Sequence, residues 1–91
     1  MKVDKIIQNG VMTITVEGEI NTMTTPQLIK EVEELSGISC LIFDMEKVRY
    51  VSSAGLRMFL NCQRTMESSD GDMLIKNCDE FVVDTYRPLL L

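Results

Sequence analysis

A short run of mostly apolar residues, Cys-Leu-Ile-Phe-Asp-Met at positions 40–45, constrains the fold of this chain more than any other segment. The run is too short for a typical helix, and its nearly continuous apolar character predicts a central strand buried on both faces. A strand of this kind belongs to a parallel sheet whose strands are connected by helices. The chain is therefore expected to be an α/β protein.

The segment before this run predicts a β-hairpin. Residues 11–17 alternate between apolar and polar side chains and are rich in β-branched residues, which favours a strand that Gly18 closes. Asn9-Gly10 is a strong signal for a two-residue hairpin turn, so residues 5–8 are predicted to form a short first strand.

Two helices are predicted to connect the following strands. Thr24-Thr25-Pro26 is typical of a helix start, and Leu28, Val32 and Leu35 form one apolar stripe before Gly37 ends the segment. A second helix is predicted over residues 54–68. Its apolar face is formed largely by Leu56, Phe59, Leu60, Gln63 and Met66.

A further short strand is predicted over residues 72–76, and Asp79 is the predicted N-cap of a third helix that runs towards Tyr86 before Pro88. This order of elements predicts one α/β domain over residues 1–91. Its sheet has four or five strands, is mixed but mostly parallel, begins with an amino-terminal hairpin and has the helices packed on it. The segments 18–21 and 51–53 leave strands at their carboxyl ends, where the functional surface of such sheets usually lies.

Charge and composition limit the partners of the chain. The net charge is −5 and there is no run of basic residues, so neither nucleic acid nor an anionic membrane surface is an expected partner. The first residues are charged and no apolar run approaches the length of a membrane span, so we expect a cytoplasmic protein. Cys40, Cys62 and Cys78 show no metal-ligand spacing and are expected to be small buried apolar residues.

The sequence offers little catalytic chemistry. It contains no histidine, which excludes the usual serine triad, and it has neither a phosphate-binding glycine loop nor clustered metal ligands. We therefore expect no enzyme activity, no cofactor and no metal. The remaining catalytic hypothesis requires Lys47 or Lys76 to activate the Ser53 hydroxyl.

Ser52 and Ser53 lie where a strand meets the second helix. Either hydroxyl could cap that helix, and capping alone would explain the pair. A phosphoryl group on Ser53 is also compatible with this position, because the start of a helix favours negative charge. It would add about −1.5 to −2 charges and so change binding without unfolding the domain.

Three segments resemble the STAS-domain anti-sigma factor antagonists of bacteria. The main one is Phe-Asp-Met at 43–45 followed by Val-Arg-Tyr-Val-Ser-Ser-Ala-Gly-Leu-Arg at 48–57. Gly-Glu-Ile-Asn at 18–21 resembles the family's Gly-Glu-Leu-Asp loop, and the segment from Gly71 resembles its Gly-Gly-x-Leu strand entry. The resemblance spans roughly residues 5–87. Ser52 and Asn21 stand where the family often has aspartate.

The resemblance implies a function. Such a protein binds an anti-sigma factor that is also a serine kinase. This binding regulates transcription by partner switching. The kinase inactivates the antagonist by phosphorylating the serine that corresponds to Ser53, and a phosphatase would restore binding. The alternative is a STAS module that binds protein in another assembly, such as a lipid-trafficking complex or a stress scaffold, without phosphorylation. The implied partner-binding residues are Gly18, Glu19, Asn21, Ser52, Ser53, Ala54, Gly55 and Arg57.

Overall fold

The computed structural model describes residues 1–78, which form four strands and two helices. In chain order they are β1 (Lys2–Gln8), β2 (Val11–Ile20), α1 (Thr25–Glu31), β3 (Cys40–Val51), α2 (Ser53–Ser68) and β4 (Asp72–Lys76). The predicted third helix, from Asp79 towards Tyr86, lies outside the described residues, and the predicted domain extent of 1–91 stays a prediction.

The four strands form one sheet in the order β1-β2-β3-β4. β1 pairs antiparallel with β2, whereas β2–β3 and β3–β4 are parallel pairs. The predicted fold class, α/β with a mostly parallel mixed sheet and an amino-terminal hairpin, is therefore confirmed. The hairpin turns at Asn9 and Gly10, whose φ angles of 52° and 78° are those that a two-residue turn of this type requires.

The hydrophobic core lies between one face of the sheet and the two helices. Met12 and Ile14 of β2 and Leu41 of β3 are fully buried there, and the rings of Phe43 and Phe59 meet edge to face at a centroid distance of 4.9 Å. Leu28 from α1 completes this layer. The core therefore fixes the position of α2, and with it the turn that leads into α2.

The prediction that β3 is buried on both faces is wrong for residues 1–78. Leu41, Phe43 and Met45 are buried, but the alternating Cys40, Ile42 and Asp44 are only half-buried. The apolar run indicated a central strand correctly, because β3 has a parallel neighbour on each side. It could not indicate that both described helices pack on the same face.

Helix α1 is shorter than its apolar stripe predicted. It ends at Glu31, whose carbonyl accepts a hydrogen bond from Lys5 Nζ at 3.3 Å, and Val32 already leaves the helical conformation. The chain then has to return to the sheet, where the Ser39 amide donates to the Gly10 carbonyl at 2.7 Å. This tertiary requirement outweighs the helical periodicity of Val32 and Leu35.

Helix α2 begins at Ser53, one residue earlier than predicted, and ends at Ser68 as predicted. Its buried face includes Met58 and Cys62, which the predicted stripe omitted, while Leu60 and Gln63 are half-buried at its border. Within residues 1–78, no helix has the length and apolar character that crossing a membrane requires.

At the carboxyl end of β4, Asn77 contacts Asp44, and the resulting change in the pKa of Asp44 can be tested. The Asn77 side-chain amide donates to Asp44 Oδ1 at 3.0 Å and the Glu46 amide donates to the same oxygen at 3.2 Å. Together with the charge of Lys76, these bonds lower the pKa of Asp44 and outweigh a small opposing effect of burial. Because the folded-state pKa is the lower one, the stabilisation is present above the unfolded-state pKa and is lost as the pH falls through the folded-state value.

We expect Asn77→Gly to raise the pKa of Asp44 towards its ordinary value. Glycine preserves the left-handed conformation of position 77, where φ is 58°, and removes only the amide donor. An NMR titration of the Asp44 carboxyl carbon measures the change, and Asn61→Ala on α2 is the matched control. An unchanged Asp44 titration in Asn77→Gly would contradict the assignment of this hydrogen bond.

Candidate functional site

The carboxyl ends of β2 and β3 meet at one rim of the sheet. Ile20 and Val51 are paired across these strands, and the Ser52 amide donates to the Ile20 carbonyl at 2.8 Å. The two loops that the sequence indicated, 18–21 and 51–53, therefore lie side by side. We call this region, residues 18–25 together with 50–57, the serine rim.

Ser52 is the N-cap of α2. Its backbone is extended, and its Oγ accepts a hydrogen bond from the Gly55 amide at 3.3 Å. The Ser52 carbonyl accepts the first bond of the helix, from the Leu56 amide at 3.0 Å. The sequence left open which serine caps the helix, and the structure assigns that role to Ser52.

Ser53 is the first residue of α2 and is exposed. Among residues 1–78, no hydrogen bond engages its hydroxyl. The hydroxyl lies beside the first amides of the helix, which have no carbonyl partner within the helix, at the positive end of the helix dipole. Ser52 thus stabilises the turn while Ser53 is accessible.

Gly55 allows α2 to approach the sheet closely. A Cβ atom at this position would lie 2.7 Å from Ile20 Cγ2 and 2.9 Å from Val51 Cγ1, which is closer than any normal contact. Gly55 is itself buried. We expected it on the partner-binding surface, but the structure places it beneath the turn, where it sets the packing.

The loop after β2 is held by its own polar side chains. Asn21 Oδ1 accepts from the amides of Met23 at 2.9 Å and Thr24 at 3.1 Å. Thr24 Oγ1 accepts from the Asn21 amide and donates to the Glu19 carbonyl, both at 2.8 Å. Thr25 Oγ1 donates to the Asn21 carbonyl at 2.7 Å. Asn21 therefore shapes the loop, and an aspartate could accept the same two amide bonds.

Sequence reasoning treated Thr24 only as a helix cap, but the N-cap Thr24 makes no side-chain capping bond. Its hydroxyl instead connects the end of β2 to the start of α1. The spacing of Asn21 and Thr24 was a usable signal, since asparagine commonly accepts a bond from a backbone amide two residues ahead.

The remaining predicted site residues differ in exposure. Glu19 and Arg57 are exposed, whereas Gly18 and Ala54 are half-buried. Gly18 has a φ of +113° at an irregularity in the β2–β3 register, a conformation that glycine accommodates more readily than other residues.

An aromatic residue directly before such a turn is expected to pack against its neighbours, and Tyr50 departs from this expectation. Its side chain is 48% exposed, next to Glu19, its partner on β2. The register shifts between β2 and β3 interrupt the regular alternation of side chains between the two faces of the sheet. The face on which Tyr50 lies could therefore not be predicted by counting residues along the strand. Met23, in the adjacent loop, is 85% exposed.

The two lysines of the catalytic hypothesis lie away from the serine turn. Lys76 is paired with Asp44, which precedes Val51 by seven residues of strand, or about 23 Å. Lys47 precedes Val51 by four residues, or about 13 Å, within β3. Neither amine is within hydrogen-bond reach of Ser53 by this measure.

The described residues bring together no group of three or more His, Cys, Asp or Glu side chains that could hold a metal ion. A cavity of about 210 Å³ lies between α1 and α2, lined by Ile29, Val32 and Met58 among others. Cys62 also lines it, and burial raises the pKa of that thiol to about 11, as expected for an inert apolar cysteine. Cys40 and Cys78 are half-buried, so the expectation of buried cysteines is confirmed for Cys62 alone.

The family model of the STAS domain matches residues 2–89. The chain belongs to the STAS domain family. No curated protein sequence matches the chain significantly.

Solved structures agree with the STAS fold. The Bacillus cell fate determinant SpoIIAA in its phosphorylated form superposes with a TM-score of 0.82 at 14% identity, covering 97% of this chain and 83% of that one. An anti-sigma factor antagonist from Mycobacterium paratuberculosis gives 0.71 at 22% identity, with coverages of 98% and 74%. A sulfate transporter family protein from Wolinella succinogenes gives 0.72 at 15% identity, with coverages of 93% and 70%. The same fold thus occurs in a protein described as an anti-sigma factor antagonist and in one described as a sulfate transporter family protein.

Proposed function

We propose that this STAS domain is an anti-sigma factor antagonist whose serine rim binds a kinase-type anti-sigma factor, and that phosphorylation of Ser53 ends this binding. The observation that carries the proposal is the division of roles in the turn. Ser52 caps α2, so the exposed Ser53 hydroxyl can be modified without loss of the cap. Similarity to solved anti-sigma factor antagonists supports the choice of partner.

The partner-binding surface would comprise the exposed part of the serine rim. Glu19 and Tyr50 lie next to each other on paired strands, and Met23 projects from the adjoining loop. An exposed aromatic and an exposed methionine beside a carboxylate combine apolar area with a charge, a common composition for protein interfaces. The surface acts by binding, in keeping with STAS domains as binding modules.

Phosphorylation would change the charge of this surface at one point. Ser53 and Arg57 are four residues apart on α2 and both exposed, so their side chains are neighbours on the helix surface. A phosphoryl group on Ser53 would attract the Arg57 guanidinium and add negative charge close to Glu19. Both effects change the surface that the partner recognises and so weaken binding. The start of the helix accommodates the added charge.

The neutral residues Ser52 and Asn21 are compatible with the proposal. Serine and aspartate are comparable helix N-caps, and Asn21 makes the loop hydrogen bonds that an aspartate oxygen could accept. The replacements therefore preserve the shape of the rim and remove two negative charges from it. The kinase partner would have to recognise a less acidic surface.

A second candidate is a STAS module that binds protein without a phosphorylation cycle, in a lipid-trafficking complex or a stress scaffold. The observation that favours it is that Ser52 and Asn21 stand where the family often has aspartate, so the surface around Ser53 is less acidic. Structural similarity to a transporter-family protein is compatible with it as well.

Phosphate transfer to purified protein separates the two candidates. We expect incubation with ATP and the anti-sigma factor kinase to add one phosphoryl group, located on Ser53 by peptide mapping, and Ser53→Ala to abolish it. Ser52→Ala is the matched control: it should remain a substrate while losing about 1 kcal/mol of stability through the missing cap. Ser53→Asp should keep the fold, because a carboxylate is favoured at a helix start, and should bind the kinase more weakly.

Tight binding without transfer would favour the second candidate. Transfer to Ser52 instead of Ser53, or a Ser53→Asp variant that unfolds, would contradict the division of roles between the two serines.

A further inference from the structure

The sheet has one face that none of the described residues covers. Successive strands are adjacent in the order β1-β2-β3-β4, so the crossovers between parallel strands all run in one direction. Right-handed crossovers then place their helices on the same face. The burial pattern agrees, because Met12, Ile14, Leu41 and Phe43 are buried and all point towards the helices.

The opposite face, which we call the outer face, carries a row of three apolar residues and one threonine across the four strands, which we call the apolar row. Register pairs Ile6 with Thr13, Thr13 with Ile42 and Ile42 with Leu74. Ile6 is 65% exposed and Leu74 54% exposed, while Thr13 and Ile42 are half-buried between them. Contiguous apolar surface of this kind usually marks a binding site in a folded protein.

Two rows that begin and end with polar residues border the apolar row in register. One neighbouring row contains Asp4, Thr15, Asp44 and Lys76, from β1 to β4. The other contains Gln8, Val11, Cys40 and Asp72 in the same order. Opposite charges thus occupy opposite ends of the first row, Asp4 on one edge strand and Lys76 on the other.

We propose that the outer face binds a second copy of this chain in a face-to-face twofold dimer whose axis runs parallel to the strands. This axis places β1 of one copy over β4 of the other and keeps the rows aligned. Ile6 then faces Leu74 and Thr13 faces Ile42 across the apolar row. Aligned stacking of two sheets is a standard arrangement in proteins, with a spacing of about 10 Å.

Charge complementarity is satisfied with this axis. Asp4 faces Lys76 twice in the dimer, and each of two further carboxylates, Asp44 and Asp72, faces a hydrogen-bond donor, the Thr15 hydroxyl or the Gln8 amide. Each contact occurs twice, as a twofold interface requires.

A twofold axis perpendicular to the strands gives a poorer match. It would also oppose Lys76 to the Asp72 carboxylate and Asp4 to the Gln8 amide. However, it would oppose the Asp44 carboxylate to Cys40 and the apolar Val11 to Thr15, whereas the parallel axis opposes Asp44 to the Thr15 hydroxyl and Val11 to Cys40.

The dimer leaves the Ser53 turn of the serine rim accessible. Helix α2 packs on the other face of the sheet, and an axis parallel to the strands places the two rims at the same end of the dimer. A dimer of this form would present two copies of the Ser53 turn side by side to a partner.

The size of the outer face predicts a weak dimer. Its paired region spans four strands and five residue pairs, or about 19 Å by 17 Å from standard strand spacings. Such a footprint, about 320 Å² on each copy, is smaller than the roughly 800 Å² per partner of standard interfaces, so we expect a dissociation constant of about 10 μM to 1 mM.

Sedimentation equilibrium of the full chain from about 1 μM to about 2 mM tests the proposal by bracketing that range. We expect Asp4→Lys alone and Lys76→Asp alone to weaken dimerisation by about tenfold each, since each places like charges opposite one another. The double variant should recover most of the loss because the pair is restored with its charges exchanged. Arg64→Glu on the exposed side of α2 is the control and should leave dimerisation unchanged.

A charged substitution in the apolar row provides a second test. Ile6→Asp introduces a carboxylate opposite Leu74 and should abolish the dimer over this concentration range. Because Ile6 is exposed, the variant should keep its fold, which a circular dichroism melt checks. A chain that stays monomeric throughout overturns the proposal, whether its outer face is bare or covered by another part of the same chain. A dimer that is insensitive to the Asp4 and Lys76 variants overturns the arrangement, because the contact then lies elsewhere.

Discussion

Replacing Gly55 with valine is expected to destabilise the domain by about 3 kcal/mol, the upper part of the usual range for overpacking. Even the Cβ atom would lie 2.7 Å from Ile20 Cγ2 and 2.9 Å from Val51 Cγ1. These γ-carbons belong to stiff β-branched side chains on two paired strands, so they cannot yield without moving the backbone. Urea denaturation followed by circular dichroism measures the loss.

The neighbouring residue supplies the control for Gly55→Val. Ala54→Val introduces the same side chain one position earlier, where the site is half-buried, and should cost well under 1 kcal/mol from helix propensity. Gly55→Ala should fall between the two, because it adds the Cβ without the γ-carbons. Equal stabilities for Gly55→Val and wild type would show that α2 can move away from the sheet at no cost.

Replacing Phe43 with alanine is expected to have the largest effect, about 4 kcal/mol. Phe43 is fully buried in β3, one of the two central strands of the sheet, and its ring meets Phe59 edge to face at 4.9 Å. Its removal leaves a cavity between the sheet and α2 and deletes an aromatic pair worth about 1 kcal/mol of that total. A loss of this size approaches the whole stability of a small domain, so partial unfolding at 37 °C is expected.

Tyr50→Ala is the matched control for Phe43→Ala because both remove an aromatic ring from β3. Tyr50 is half-exposed at the rim, and its truncation should cost no more than about 1 kcal/mol. The same variant should weaken partner binding if the serine rim acts as proposed. Similar stability losses for the two variants would contradict the assignment of Phe43 to the core and Tyr50 to the surface.

The two large predictions concern the same structural unit. Phe43 anchors α2 through Phe59, and Gly55 sets how closely the first turn of α2 approaches Ile20 and Val51. The position of Ser53 at the rim follows from these two contacts. A variant that retains the fold but shifts α2 should therefore alter access to the Ser53 hydroxyl.

Local patterns were sufficient to predict the elements and their order. Asn9-Gly10 specified a hairpin turn because few residue pairs adopt positive φ readily, and the structure has both residues in that conformation. The serine turn was visible because a strand-like segment, two candidate caps and an apolar helical stripe follow one another directly. These features depend on residues close together in sequence.

The boundaries and orientations that were predicted wrongly depend on residues far apart in sequence. Helix α1 ends at Glu31 because Lys5 of β1 and the return of the chain to Gly10 are nearby in space. Tyr50 is exposed because register shifts between β2 and β3 change the alternation of faces.

The sequence by itself determined the α/β class, the order of strands and helices, and the pair of serines at the start of the second helix. Only the tertiary structure decided that Ser52 is the cap and Ser53 is accessible, that Gly55 is buried, and that one face of the sheet lies open in residues 1–78. The physical reason is that secondary structure and turns follow from local backbone preferences and apolar periodicity. The environment of a side chain depends instead on which distant segments pack against it.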